Sequence, residues 1–183
     1  MTGTIIDPTR AQRTVESRNV VSPTLTTLEG KRIGLLENTK RNAAAILDSV
    51  GKALDASEHV GTLVPFTKVG FALPLPDDLL AEIERSCDAV VIGVGDCGSC
   101  SASAIADGIV LEARGIPTAV ICTDAFVTTS RAMAALQGRD DYPFLLTEHP
   151  IANLTGADIE GRSAELASLV RRRLMEPEKG AEA

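Results

Sequence analysis

The sequence contains no tryptophan, one tyrosine and four phenylalanines among 183 residues. Sites that stack on single-stranded nucleic acid or on sugars need exposed rings, so an aromatic share of 3% argues against both. Positive charge is also scarce: 18 Lys and Arg stand against 25 Asp and Glu, for a formal charge of −7. Such a chain offers no electrostatic lure to nucleic acid or to an anionic membrane. No apolar run reaches the ~18 residues of a membrane span. No basic segment followed by an apolar one opens the chain. The expected setting is therefore cytoplasmic, and the expected partner is a small-molecule substrate.

What is present is an aliphatic core composition and four cysteines, Cys87, Cys97, Cys100 and Cys122. A hydrophobic share of 44% suits a globular domain and is too high for disorder. In a reducing compartment a disulfide framework is not expected. A close cysteine pair there points to redox chemistry, nucleophilic catalysis or a metal.

Residues 1–30 are polar and aperiodic and read as an extended N-terminal arm, lying on the body or on a partner. From 31 to 176 the pattern is that of a single α/β domain, and residues 177–183 read as a frayed tail. Apolar runs at 31–38, 60–66, 89–94, 118–123 and 144–147 predict five strands. Between and after them, segments at 42–54, from Pro76, at 99–113, 128–137 and 157–175 carry helical patterning. Asn42 is the expected cap of the first helix. The Arg171-Arg172-Arg173 run is expected to be a solvated end of the last helix, where cations complement the dipole. Regular alternation predicts a flavodoxin-like, doubly wound parallel sheet in the order 2-1-3-4-5. Ligands of such sheets bind beyond the carboxyl ends of the strands, at the switch point between the first and third.

One motif sits at that place. Gly93-Val94-Gly95-Asp96-Cys97-Gly98-Ser99-Cys100 follows the third strand directly. Helix-start N–H groups and the helix dipole favour a thiolate there, the reactive form of cysteine. Cys97 is the expected nucleophile, and Cys100, about one turn on, the residue placed to resolve a sulfenic acid or mixed disulfide. Gly95 and Gly98 are read as permitting backbone angles or close approach that side chains forbid. The same segment also fits three other readings: small residues in a crowded turn, a metal site completed by Cys122 and His149, and a phosphate cradle. A lone C-x-x-C supplies half of the ligands a structural zinc takes, and no Walker lysine follows the glycines.

Other strand ends converge on this rim. The first offers Glu37, Asn38, Thr39 and Lys40; the fourth offers Cys122, Thr123, Asp124 and Phe126; the fifth offers Glu148, His149 and Pro150. His149 is a candidate general base or ion-pair partner of a thiolate, alongside the reading of a loop histidine binding local backbone. Asp96, Gly98, Ser99, Asn38, Thr39 and Asp124 are the candidate substrate-binding residues. Asp96 suits turn stabilisation equally well. Cys122 reads as a buried strand-end thiol, Cys87 as structural, and His59 as a surface residue.

Asp96-Cys97-Gly98-Ser99-Cys100 resembles the signature of the UGSC family of (seleno)proteins, some members of which carry selenocysteine where this chain has Cys97. The stretch Ile33-Gly34-Leu35-Leu36-Glu37-Asn38-Thr39-Lys40-Arg41-Asn42 and the segment 115–123 fit as well, as does the early Ile5-Ile6-Asp7-Pro8-Thr9. The resemblance runs from Ile5 to the last helix. It implies that Cys97 is the reactive chalcogen position, with sulfur here in place of selenium. The U-G-x-C pattern is also similar to that of selenoprotein subunits of clostridial amino-acid reductases. The site is similar at the level of fold to half of an Asp/Glu racemase-type domain.

Two function classes follow as expectations. The first is an enzyme in which the Cys97 thiolate, assisted by Cys100, acts on a small electrophilic substrate by thiol-redox or carbon–heteroatom bond chemistry. The second is an accessory subunit of a larger reductase-type complex; the Ala-rich stretch 131–136 would also suit a homodimer. A thiol reductant is the cofactor class that fits the first. Neither a metal nor a flavin is expected, flavin because the rings that commonly flank it are scarce.

Overall fold

A computed structural model of the chain describes residues 22–70 and 72–176. Most of the expected N-terminal arm and the tail at 177–183 lie outside the described residues. Five strands, β1 (Arg32–Glu37), β2 (Thr62–Thr67), β3 (Ala89–Gly95), β4 (Thr118–Thr123) and β5 (Leu145–Thr147), form one sheet. The helices are α1 (Ala43–Glu58), α2 (Asp77–Ser86), α3 (Gly98–Ala113), α4 (Val127–Leu136) and α5 (Gly156–Met175). All neighbouring strands are parallel, in the order β2-β1-β3-β4-β5, the flavodoxin-like arrangement.

The two-residue period of a strand sends alternate side chains to opposite faces. Ile33, Leu35, Val91 and Ile121 pack with Ile46, Leu47 and Val50 of α1 and Leu166 and Val170 of α5. Leu36, Val90, Ile92 and Val120 pack with Leu80 and Ile83 of α2 and Ile105 and Leu111 of α3. Both faces of β3 are thereby covered, and all seven of its residues are buried. That explains its nearly unbroken apolar run. Each such aliphatic side chain contributes roughly 1.5–3 kcal/mol through burial, so the layers hold the strand ends in fixed register.

Residues 22–30 lie on the body. Leu28 is fully buried, the Leu25 N–H donates to the Leu174 carbonyl at 2.7 Å, and Glu29 bridges to Val60. Val60 is thus outside β2, which begins at Thr62.

Two local expectations are corrected. Asn42 does not cap α1 through its side chain: it stands in the left-handed region at φ 68°, and its amide donates instead to the carbonyls of Ile151 at 2.9 Å and Leu154 at 3.1 Å. A residue at positive φ points its side chain away from the first-turn N–H groups, and here it secures the loop after β5. The basic end of α5 is solvated only at Arg172. Arg171 pairs with Glu58 at 2.7 Å, and Arg173 is buried against Glu112. The Glu112 carboxylate also accepts from Ser22 and Thr118 at 2.7 and 2.9 Å, so charge is taken inside where several donors offset its desolvation.

Candidate functional site

The βα turn after β3 carries the cysteines. Cys97 occupies the N-cap of α3 in extended geometry, and its sulfur accepts the Cys100 N–H at 3.2 Å. A sulfur that takes a first-turn amide proton does the work of a capping oxygen, which is why the helix starts at Gly98, one residue before the expected start at 99. Cys97 is half-buried and Cys100 fully buried. The two are joined in a disulfide, a state that compartment and composition alone did not anticipate. The Ser99 hydroxyl stands 3.6 Å from the Cys97 sulfur.

Glycine is required at one of the two positions singled out. A Cβ on Gly95 would lie 2.8 Å from the Ser101 backbone and 2.8 Å from the Cys122 sulfur, so α3 can approach β4 only over a hydrogen atom. Gly98 has no such constraint. A Cβ there would meet nothing closer than Thr129 Oγ1 at 3.9 Å, and its φ is not in the left-handed region.

Beside the cysteines stands a carboxylate–imidazole pair. Asp96, 9% exposed, places Oδ1 at 2.8 Å from Nδ1 of His149. A carboxylate only accepts, so Nδ1 carries the proton of the neutral ring and Nε2 remains the basic nitrogen. Thr123 Oγ1 lies 3.3 Å from the same nitrogen, and Phe126 meets the ring edge-on at 5.4 Å. The Asp124 carboxylate accepts the His149 backbone N–H at 3.0 Å. Asp124 thus fixes the loop that carries His149, and Asp96 fixes the ring.

Asn38, 7% exposed, closes the β1 side. Its Nδ2 donates to the Val94 carbonyl at 3.1 Å, while Oδ1 has no partner among the described residues. Thr39 is exposed at φ 60°, and its hydroxyl donates to the Asn38 carbonyl. The fold therefore gathers Asp96, Cys97, Gly98, Ser99, Cys100, Asp124 and His149 around one turn. Asn38 and Thr39 sit at the end of the neighbouring strand.

The remaining cysteines are internal. Burial pushes the Cys122 thiol up to about 11 against the opposing pull of the Ser130 and Ser101 hydroxyls. Burial also raises the Cys87 thiol. His59 is exposed at the end of α1. Among the described residues no group of three or more His, Cys, Asp or Glu side chains could hold a metal ion, so Cys122 and His149 do not complete a ligand set with the pair.

One residue at this end of the sheet was not singled out above. Lys68, 3% exposed, directly follows β2 and donates to Ser103 at 2.7 Å and to the Asp107 carboxylate of α3. Burial pushes the Asp107 carboxyl up, while the hydrogen bond and charge of Lys68 pull it down. The strand-end rule that selects residues after β1, β3, β4 and β5 selects Lys68 equally well; its pairing with Asp107 leaves no sequence signal. Leu36, Asn38, Lys68, Cys100 and Asp107 line a small cavity of about 10 Å³. A cleft of about 620 Å³ opens between β5 and α5, with Asp124, Glu148 and Arg162 on its wall.

No helix among the described residues is long and apolar enough to cross a membrane. No curated protein matches the chain. Among solved structures, the crystal structure of a diflavin flavoprotein A3 from Nostoc sp. shares 17% identity over 80% of this chain and 97% of that one, with a TM-score of 0.38. The model of the UGSC family matches residues 4–176, a span that includes every element of the fold and the whole cysteine turn, and the chain belongs to that family.

Proposed function

We propose that the chain is a cysteine-dependent enzyme that uses the Cys97 thiolate, with Cys100 as its partner, on a small electrophilic substrate. The observation that carries this reading is the Cys97 sulfur at the N-cap of α3, bonded to Cys100 and adjacent in sequence to the Asp96–His149 pair. The cap N–H and the dipole favour negative charge on Cys97. A basic Nε2 held by Asp96 is the arrangement in which a carboxylate orients an imidazole for proton transfer.

In the reduced protein, the Cys97 thiolate attacks a substrate R–X. A bond from sulfur to R forms, the R–X bond breaks, and X leaves with the electron pair and takes one proton. The Cys100 thiolate then attacks the Cys97 sulfur and closes the disulfide. R departs with the electron pair of its bond to sulfur and takes the second proton. The sum is two thiols and R–X giving one disulfide, R–H and H–X, a two-electron reduction of the substrate. It suits an R group that stabilises negative charge. A dithiol reductant reopens the disulfide and is itself oxidised to its disulfide.

The test is alkylation of the reduced protein by iodoacetamide as a function of pH, followed at Cys97 by mass spectrometry. A midpoint clearly below the ordinary thiol value of about 8.5 supports the reading. A midpoint at or above it rules the reading out. Incubation of Cys100→Ser with cell extract is expected to leave the substrate fragment bonded to Cys97, because the resolving sulfur is gone.

A further inference from the structure

The Lys68–Asp107 pair has no part in the scheme above, yet it stands at the buried end of the disulfide. Lys68 and Asp107 have side chains 3% and 4% exposed, whereas the other described lysines, Lys31, Lys40 and Lys52, are at least partly exposed. A buried ammonium group is costly, and the Asp107 carboxylate and Ser103 hydroxyl satisfy two of its three protons. Cys100, fully buried, shares a cavity wall with both charged groups. At about 10 Å³ the cavity spans no more than about one water molecule. Its remaining polar wall is Asn38, whose buried Oδ1 has no partner among the described residues, and Glu37, which accepts the Thr39 N–H at the rim.

We propose that Lys68 is a positioning residue for the redox step: its ammonium group, fixed by Asp107 and Ser103, is the counter-charge of the Cys100 thiolate across this cavity. The proposal rests on the cysteine-dependent reading and deepens it. When the thiolate of a dithiol reductant attacks the Cys97 sulfur, the bond to Cys100 breaks and its electron pair stays on the Cys100 sulfur. The second thiol of the reductant, as thiolate, then attacks the mixed disulfide, leaves as part of the reductant's own disulfide, and frees the Cys97 thiolate. Each opening therefore places a negative charge at a site with no access to solvent. In a low-dielectric interior that charge needs a partner already in place. The titratable groups lining the cavity around Cys100 are Glu37 from the end of β1, Lys68 after β2, and Asp107 from α3. Lys68 is the cation among them.

The experiment titrates Cys100 itself. In a Cys97→Ser background, full-length protein carrying ¹³Cβ-labelled cysteine is followed by NMR against pH, and Cys97→Ser/Cys100→Ser identifies the Cys100 signal. Adding Lys68→Gln is expected to raise the Cys100 midpoint by about one pH unit, the ordinary size of a lost opposite charge nearby. A rise of about half a unit or more supports the proposal. A smaller rise, or a fall, overturns it. If Lys68→Gln alone leaves Asp107 too poorly compensated to fold, the comparison is made between Asp107→Asn and Lys68→Gln/Asp107→Asn, which differ by the Lys68 charge alone; a rise of about half a unit or more from the first to the second supports the proposal, and a smaller rise or a fall overturns it. The outcome is independent of turnover. An ordinary alkylation midpoint at Cys97 with a Lys68-dependent Cys100 would refute the enzyme reading alone, and the converse would refute this inference alone.

Discussion

Nδ1 of His149 lies 2.8 Å from Oδ1 of Asp96, and Asp96 is the chain neighbour of Cys97. A carboxylate from the end of β3 thereby sets the tautomer of an imidazole from the loop after β5, and the same short segment bears Cys97. Asp124 holds the backbone of His149 from the end of β4, so three strand ends determine where the ring stands.

Replacing Asp96 by Asn puts a neutral amide against Nδ1, which either accepts from it through Oδ1 or donates to it through Nδ2. The ring is expected to populate both tautomers, seen as a second pair of ring-nitrogen shifts in ¹⁵N NMR. The rate at which the reduced protein reacts at Cys97 with iodoacetamide at pH 7 is expected to drop about tenfold or more, the lower range of what a positioned base contributes. An unchanged rate with an altered tautomer would separate His149 from the chemistry of Cys97.

The capping role of Cys97 predicts an ordering of two variants. Serine keeps an acceptor for the Cys100 N–H, and alanine does not. Under reducing conditions, where neither variant nor parent gains from the disulfide, Cys97→Ala is expected to be less stable than Cys97→Ser by about 1 kcal/mol. Urea denaturation measures the difference; equal midpoints would show that α3 starts without help from this side chain.

Cys122, with its thiol pushed up to about 11 by burial, is expected to stay unmodified when the reduced, folded protein meets iodoacetamide at pH 7 to 8. Cys87, raised for the same reason, is expected to stay unmodified with it. Peptide mapping should find the label at Cys97 and should find Cys87 and Cys122 labelled only after unfolding. Native labelling of Cys122 would contradict its burial at the end of β4.

Arg32 and Asp88 provide an acid-sensitive contact at the start of β1. The hydrogen bond and charge of Arg32 hold the Asp88 carboxyl below its ordinary 3.8. Its folded value lies under its unfolded one, so the contribution is complete above that ordinary value and is lost as pH falls through the folded value. Both side chains are partly exposed, at 44% and 30%, so solvent screening keeps the contribution small. Asp88→Asn is expected to lower the denaturation midpoint at pH 7 and to leave it unchanged near pH 2. Loss of the same size at both pH values would mean that the backbone bond from Arg32, not the charge, is the contribution that matters.

The strand order and the location of the cysteine turn were legible in the chain because both rest on local information. Continuous apolar runs mark strands covered on two faces, helical spacing marks the crossovers, and a glycine-flanked C-x-x-C just after the most apolar run falls at the switch point by topology alone. The tertiary structure decided everything that depends on pairing across long sequence distance. Lys68 meets Asp107 across 39 residues, and His149 meets Asp96 across 53. Arg173 abandons an expected solvated helix end for Glu112, 61 residues away, and Asn42 leaves its helix for a loop 109 residues on. Polar side chains carry no periodicity that announces a partner. Their choice is set by which strand ends the sheet register brings side by side, and by the need of every buried charge or amide to find a counterpart there.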